Sequence, residues 1–163
     1  MRKAITAARR GLKQGEVPIG AVVVYEDQVV ASGYNRRAKL QLASAHAEMM
    51  AIDRACKKFG SWRLPEGCEL YVTLEPCPMC MGASLNARVD KVYFGAYEQK
   101  GRSLTEELAN ANLLNHKTEV VGGVLREECS ALLSSFFISM RQKQKEEKER
   151  CKTQEENFSS DEI

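Results

Sequence analysis

The sequence lacks any apolar run long enough to form the core of a signal peptide or a membrane-spanning helix. It also lacks regular cysteine spacing, although it contains six cysteines. These two absences argue against a membrane protein and a secreted disulfide scaffold, so we expect a cytoplasmic protein without membrane association. A strong charge imbalance is absent too. The net charge of +2 neither requires nor excludes a nucleic-acid partner.

The 163 residues are enough for one domain with a substantial core that needs no disulfide staples. We expect a folded domain over residues 1–143, followed by a charged C-terminal tail over residues 144–163 that is a frayed helix or disordered. There is no sign of a second domain.

The pattern of apolar residues predicts alternating helices and strands. Helical spacing indicates helices at about 2–14, 45–59, 77–87, 105–109 and 126–149, whereas β-branched and aromatic runs indicate strands at about 21–25, 28–33, 69–74, 91–95 and 118–121. We expect a turn at Glu26-Asp27, a cap from Ser44 on the second helix, and inward-facing side chains in the last helix from Leu132, Leu133, Phe136 and Phe137. Helices that separate strands predict an α/β layer fold with parallel strand pairs after an opening hairpin.

One stretch carries most of the chemical information. His46-Ala47-Glu48 is followed by Pro76-Cys77-Pro78-Met79-Cys80, and the pattern H-x-E with P-C-x-x-C is the signature of zinc-dependent nucleobase deaminases. A catalytic zinc ion uses three protein ligands and leaves a fourth position for water. His46, Cys77 and Cys80 would supply these three ligands, with one zinc ion per subunit.

The spacing also predicts how the ligands meet. Residues three apart share a helix face, and proline is tolerated at a first helical position, so Cys77 and Cys80 are expected at the start of a helix. Glu48 follows His46 by two residues, about 200° around a helix, so the two can converge only beyond a helix end. We therefore expect His46 and Cys77 each to begin a helix, with Glu48 as the proton shuttle.

Two other interpretations of the cysteine pair remain open. C-x-x-C alone is typical of a redox pair or of half a structural zinc site. A redox pair needs no His-Ala-Glu upstream, and a structural site needs a fourth ligand. That ligand could come from the remaining cysteines, of which Cys68 is best placed: Cys56, Cys68, Cys129 and Cys151.

Beyond these motifs, the chain resembles the bacterial tRNA-specific adenosine deaminases over residues 1 to about 143. The matching segments occur in the family's order: Glu16-Val17-Pro18-Ile19-Gly20-Ala21, Tyr71-Val72-Thr73-Leu74-Glu75-Pro76, Phe94-Gly95-Ala96, Asn115-His116 and Ser134-Ser135-Phe136-Phe137. The resemblance implies a cytidine-deaminase-like three-layer α/β/α fold with a five-stranded mixed sheet. It also implies a homodimer that binds a tRNA anticodon stem-loop and converts the wobble adenosine, at position 34, to inosine.

The resemblance further implies residues that contact the substrate. Asn35 matches an asparagine that contacts the target nucleoside, and the residues expected to line the base pocket are Val17, Pro18, Leu74 and Ala47. The alternative for Val17 and Leu74 is plain core, and for Asn35 a turn residue that ends the hairpin. The candidates for RNA contact are Arg36, Arg37, Glu98, Lys100, Arg102, Phe137 and Arg141, for which the alternative is a solvated surface.

Two departures from the family pattern bear on substrate recognition. The family usually has an aspartate where this chain has Glu98, and a longer glycine-rich run where only Gly101-Arg102-Ser103 stand. Because deaminases of free bases or nucleosides, of the guanine or cytosine type, share the zinc site and differ only in pocket and loops, such an enzyme is one competing function. The other is a non-catalytic zinc-bearing RNA-binding subunit. Loss of the shuttle carboxylate would indicate the latter, and Glu48 is present.

Overall fold

A five-stranded sheet in the order β2-β1-β3-β4-β5 organises the chain. The structure, a computed structural model, describes residues 1–98, 105–111 and 116–160, with the side chains of 151–160 excepted. In chain order the elements are α1 (Arg2–Leu12), β1 (Gly20–Tyr25), β2 (Gln28–Tyr34), α2 (Arg37–Leu40), α3 (Ala47–Phe59), β3 (Glu69–Leu74), α4 (Pro78–Asn86), β4 (Lys91–Ala96), α5 (Thr105–Asn110), β5 (Glu119–Val121) and α6 (Arg126–Ser160).

The sheet is mixed, as expected. β1 pairs antiparallel with β2 and β3, whereas β3, β4 and β5 pair in parallel. Glu26 and Asp27 form the hairpin turn with φ values of 48° and 60°, the left-handed conformation that two-residue hairpin loops require. The parallel pairs place the carboxyl ends of β3 and β4 at one edge of the sheet.

Helices cover both faces of this sheet, and two apolar clusters mark the layers. The larger cluster joins the sheet to α3, α4 and α5, through residues such as Ile52, Met81 and Ala109. The smaller cluster contains Ile5 of α1 together with Cys129 and Leu133 of α6. The three-layer α/β/α fold with a five-stranded mixed sheet is therefore confirmed.

Two glycines allow helices to lie directly on the strands. A Cβ atom at Gly20 would overlap the backbone of α1 at Ala4 and Ala8, and one at Gly33 would overlap the backbone of α3 at Ala47 and Ala51. Both helices therefore pack main chain against main chain at these points. At Gly33 the contact is made by the first turns of α3, the helix that follows His46.

The start of α3 differs from the prediction. Ser44 is not its cap: His46 occupies the N-cap position, without a side-chain cap hydrogen bond, and the helix begins at Ala47. The segment before it is a turn, in which the N–H of Ala45 donates to the carbonyl of Leu42 and the carbonyl of Ala45 accepts from Arg36. These bonds hold the backbone out of the helix until His46. The short helix α2, which lies between β2 and α3, is not among the predicted helices either.

The last helix also departs from the prediction at two points. Phe137 does not face inward, because it is 45% exposed, whereas Leu133 is buried and Phe136 half-buried. Adjacent residues lie about 100° apart on a helix, so the inward stripe through Cys129, Leu133 and Phe136 excludes Phe137. The helix also continues to Ser160. Residues with good helix propensity dominate its second half, and Lys145 pairs with Glu149 one turn later at 3.9 Å.

Candidate active site

Two helix N-termini meet where the sequence predicts the metal site. His46 is the N-cap of α3, with φ −73° and ψ 156°, and Cys77 is the N-cap of α4, with φ −70° and ψ 166°. Both residues thus have the extended backbone typical of an N-cap, and Pro78 occupies the first turn of α4. Strand β3 delivers Cys77 to this point, because only Glu75 and Pro76 separate it from the strand's last residue.

The three proposed ligand atoms converge with the spacing that zinc requires. Nδ1 of His46 lies 3.7 Å from Sγ of Cys77 and 3.5 Å from Sγ of Cys80. A tetrahedral zinc ion with ordinary bond lengths separates sulfur and nitrogen ligands by about 3.6 Å. All three atoms lie within 4.8 Å of one another, so one nitrogen and two sulfurs fit a single zinc ion.

This cluster does not extend to a fourth protein ligand among the described residues, and neither Glu48 nor another cysteine belongs to it. Cys68 is buried near Asp90, Cys56 donates to the carbonyl of Trp62, and Cys129 packs in the smaller apolar cluster. The side chain of Cys151 lies outside the described residues. The geometry therefore favours an open catalytic site over a closed structural one.

Interactions among these side chains determine whether each pKa is raised or lowered. Hydrogen bonds from Cys80 and His46 lower the pKa of Cys77 to about 4, whereas the hydrogen bond to Cys77 and burial raise the pKa of Cys80. The hydrogen bond to Cys77 also raises the pKa of His46. The lowered pKa of Cys77 favours the thiolate form that a metal ion binds.

Glu48 is placed beside this cluster but is held in the protein interior. It is 4% exposed, and burial raises the pKa of its carboxyl group. The same carboxyl contacts Cys80 and interacts with His46. A carboxyl group next to the ligands, and not among them, can carry a proton between water and a substrate.

A second cluster of polar groups surrounds Asn35, at the carboxyl end of β2. Asn35 is 5% exposed, and its Nδ2 donates to Oε2 of Glu16 at 2.9 Å. Glu16 is 2% exposed and also accepts from the backbone N–H of Lys39 at 2.7 Å and of Ala38 at 3.4 Å. The sequence predicts Asn35 but not Glu16, because a glutamate after Gly15 resembles an ordinary solvated loop residue.

The residues expected to line the base pocket differ in accessibility. Val17 and Leu74 are half-buried and pack against the same small apolar cluster, whereas Pro18 and Ala47 are fully buried. Leu74 ends β3, three residues before Cys77. Val17 and Leu74 are exposed enough to contact a base, so their role as apolar walls of the base pocket remains a prediction. A contact by Ala47 would have to involve the backbone at the start of α3.

The residues expected to contact RNA lie mostly on the surface. Arg37 is exposed and near enough to His46 for its charge to affect the pKa of that imidazole, and Glu98 and Arg141 are exposed. Arg36 is half-buried, and its Nε is buried without a hydrogen-bond partner among the described residues. Lys100 and Arg102 lie outside the described residues. These assignments remain predictions.

The mixed sheet, the paired helix N-termini and the His-Cys-Cys cluster beside a buried glutamate define the class of zinc-dependent deaminases. The family description "cytidine and deoxycytidylate deaminase zinc-binding region" matches residues 1–96, and the chain belongs to this family.

Comparison with individual proteins is more specific. The tRNA-specific adenosine deaminase of Bacillus subtilis is 50% identical over 147 residues, which are 89% of this chain and 91% of that protein. A structure from a study of A-to-I editing by tRNA:A34 deaminases at the wobble position is 38% identical with a TM-score of 0.74, and the match covers 82% of this chain and 97% of that one. The guanine deaminase of Nitrosomonas europaea is 26% identical with a TM-score of 0.71, over 83% and 81% of the two chains. The resemblance that the sequence motifs indicate is therefore confirmed.

Proposed function

We propose that this chain is a zinc-dependent hydrolytic deaminase that converts adenosine to inosine at wobble position 34 of a tRNA anticodon loop. The observation that carries the proposal is the His46, Cys77 and Cys80 cluster beside Glu48, in a chain that is 50% identical over 147 residues to a tRNA-specific adenosine deaminase. When bound, zinc supplies a water molecule activated at neutral pH. His46, Cys77 and Cys80 would hold the ion.

Glu48 moves the protons of the reaction. Hydrolysis forms a bond between the water oxygen and C6 of adenine, breaks the bond from C6 to the exocyclic nitrogen, and releases ammonia. Glu48 takes a proton from water and delivers it to N1 as the oxygen adds, and it then transfers the second proton to the departing amine. Its burial serves this exchange, because bulk water cannot intercept the protons.

The target base must leave its stack to reach this site. Extrusion costs a few kcal/mol and costs least for a base that is already single-stranded, as in an anticodon loop. Val17 and Leu74 would contact the base and Asn35 the nucleoside. Arg36, Arg37, Phe137 and Arg141, together with Glu98, Lys100 and Arg102, are the proposed contacts to the surrounding RNA.

Substrate choice is the direct test of this function. Zinc-loaded protein is incubated separately with an anticodon stem-loop that carries adenosine at position 34, with the same stem-loop with guanosine there, and with free adenosine, guanine and cytosine. We expect inosine from the first RNA alone. Guanine is the most relevant competing substrate, because a guanine deaminase has a similar fold. Efficient conversion of guanine without conversion of the RNA would overturn the proposal.

We further propose that the protein is a homodimer joined in part through α4. This helix contains no charged residue, yet its face formed by Met79, Gly82, Ala83 and Asn86 is only partly covered within the subunit: Met79 is 39% exposed and Asn86 is exposed. A helix without charges on any side is normally covered on all sides. Gly82 has open space where a Cβ would lie, which leaves room for the close approach of a partner.

Replacing Gly82 by glutamate tests this interface. A Cβ at position 82 meets no atom within 4 Å in the subunit, and glutamate replaces a poor helix former, so the fold should persist while the added charge opposes association. We expect sedimentation velocity to show a dimer for the wild type and a monomer for Gly82→Glu. Ala131→Glu, which adds the same charge at an exposed position of α6, should remain dimeric. A monomeric wild type at micromolar concentration would contradict the proposal.

The domain boundary and the location belong to the same set of proposals. The folded domain ends near residue 143, since every side chain from Arg141 to Arg150 is exposed. None of the described helices combines the length and apolar character of a membrane span. A tRNA substrate and a metal site built on two cysteines both suit the reducing cytoplasm, where we place the protein.

A further inference from the structure

Glu16 is a buried carboxylate whose hydrogen-bond partners among the described residues are all donors. Its Oε1 accepts the N–H of Lys39, and its Oε2 accepts Nδ2 of Asn35 and, at longer range, the N–H of Ala38. An ionised carboxylate can only accept, whereas an asparagine amide has a donating and an accepting end. Facing Glu16, Asn35 must present its NH₂ group. Its carbonyl oxygen is therefore left for other partners.

The same carboxylate also holds the start of α2. The N-cap of this short helix, Arg36, makes no side-chain cap hydrogen bond, and the N–H groups of the first turn have no acceptor within the helix. Glu16 accepts two of these groups from outside the helix. One buried side chain thus fixes both the amide of Asn35 and the position of the segment that carries Arg36 and Arg37.

We propose that Glu16 is a positioning residue that makes Asn35 a hydrogen-bond acceptor toward the target nucleoside. This inference rests on the proposed function, in which Asn35 contacts that nucleoside. The group recognised is then a donor. In an RNA chain the donors of an adenosine are its 2′-hydroxyl and its exocyclic amine, so the contact reads one of these two.

Exchanging the two side-chain types tests the orientation. In Glu16→Gln, the new amide keeps its oxygen on the N–H of Lys39 and turns its NH₂ toward Asn35, which must then reverse and offer a donor to the substrate. In Asn35→Asp alone, two carboxylates face each other. In the double variant, the glutamine NH₂ donates to the new aspartate, whose second oxygen can again accept from the nucleoside.

The kinetic result follows from this geometry. We expect kcat/KM for the stem-loop to fall on the order of tenfold to a hundredfold in each single variant. It should recover to within a few-fold of wild type in the double variant, with the zinc content of all four proteins unchanged. A purely structural role predicts reduced melting temperatures and no recovery, and a double variant as impaired as the product of the singles would overturn the inference.

A substrate with 2′-deoxyadenosine at position 34 distinguishes the two donors. If the 2′-hydroxyl is read, this substrate reduces the kcat/KM of wild type and removes most of the difference between wild type and Glu16→Gln. If the exocyclic amine is read, that difference is retained. Either result is consistent with an accepting Asn35 and identifies its partner.

A spectroscopic measurement separates this inference from the substrate assignment. The side-chain NH₂ signals of Asn35, identified by their loss in Asn35→Asp, are followed in ¹⁵N-labelled protein without substrate. We expect slow hydrogen exchange in wild type and a clear change of both shift and exchange rate in Glu16→Gln. Exchange as fast as that of a free amide would overturn the inference. A wild type that fails to convert the stem-loop would instead overturn the proposed function.

Discussion

Glu48→Gln is expected to lose about 10²- to 10⁴-fold in kcat, the usual contribution of a positioned general acid–base group. Glutamine has almost the same shape as glutamate but cannot accept the proton that hydrolysis releases. Burial opposes the charged form of Glu48, so the uncharged amide should not destabilise the fold. The loss should therefore appear in turnover and not in zinc content or melting temperature.

The measurement is single-turnover inosine formation with zinc-loaded protein and saturating enzyme. Glu147→Gln makes the same chemical change at an exposed position of α6 and should behave as wild type. Retention of more than a tenth of wild-type turnover by Glu48→Gln would show that another group carries the proton.

Cys77→Ser is expected to abolish stoichiometric zinc binding and, with it, deamination. Serine is a poor zinc ligand, and the two remaining residues cannot hold the ion at a three-ligand site. A metal present at 100 to 1,000 times its dissociation constant stabilises a fold by about 3–4 kcal/mol. For a chain of this size, its loss lowers the melting temperature by about 5–15 °C.

Metal analysis and thermal unfolding test this expectation together. Wild type stripped by a chelator should show the same lower melting temperature as Cys77→Ser, and only wild type should recover when zinc is restored. Cys56→Ser is the matched control, because Cys56 is half-buried and its thiol, which donates to the carbonyl of Trp62, takes no part in the metal cluster. One zinc ion per chain in Cys77→Ser would exclude Cys77 from the ligand set.

The sequence predicts the metal cluster well because local geometry determines it. Cys77 and Cys80 lie at the start of one helix, so their thiols are close together whatever the rest of the fold. Because Glu48 follows His46 by two residues, these two side chains can converge only at a helix start. Both constraints act over a few residues. The strands follow for the same reason, since alternation and β-branched runs identify them within one to two residues.

What the sequence does not predict depends on distant contacts. The role of Glu16 arises because β2 returns Asn35 to it across 19 positions. Ser44 resembles a helix cap in the sequence. In the structure, hydrogen bonds from Ala45 to Leu42 and from Arg36 to Ala45 hold this segment in a turn, so the helix begins later. The prediction that Phe137 faces inward is wrong because an apolar pair does not reveal which member faces the sheet. In each case tertiary packing outweighed a local preference.

The contact between Gly33 and α3 has a consequence for how the protein can change over evolutionary time. A side chain at position 33 would displace the backbone of Ala47, which joins His46 to Glu48, and a shift of 1 Å in reacting groups can cost about a hundredfold in rate. Gly33 lies in β2, against the first turns of α3, and takes no part in the chemistry. We nevertheless expect every larger residue at position 33 to be selected against. Glycine at this position is then as necessary for the reaction as the metal ligands are.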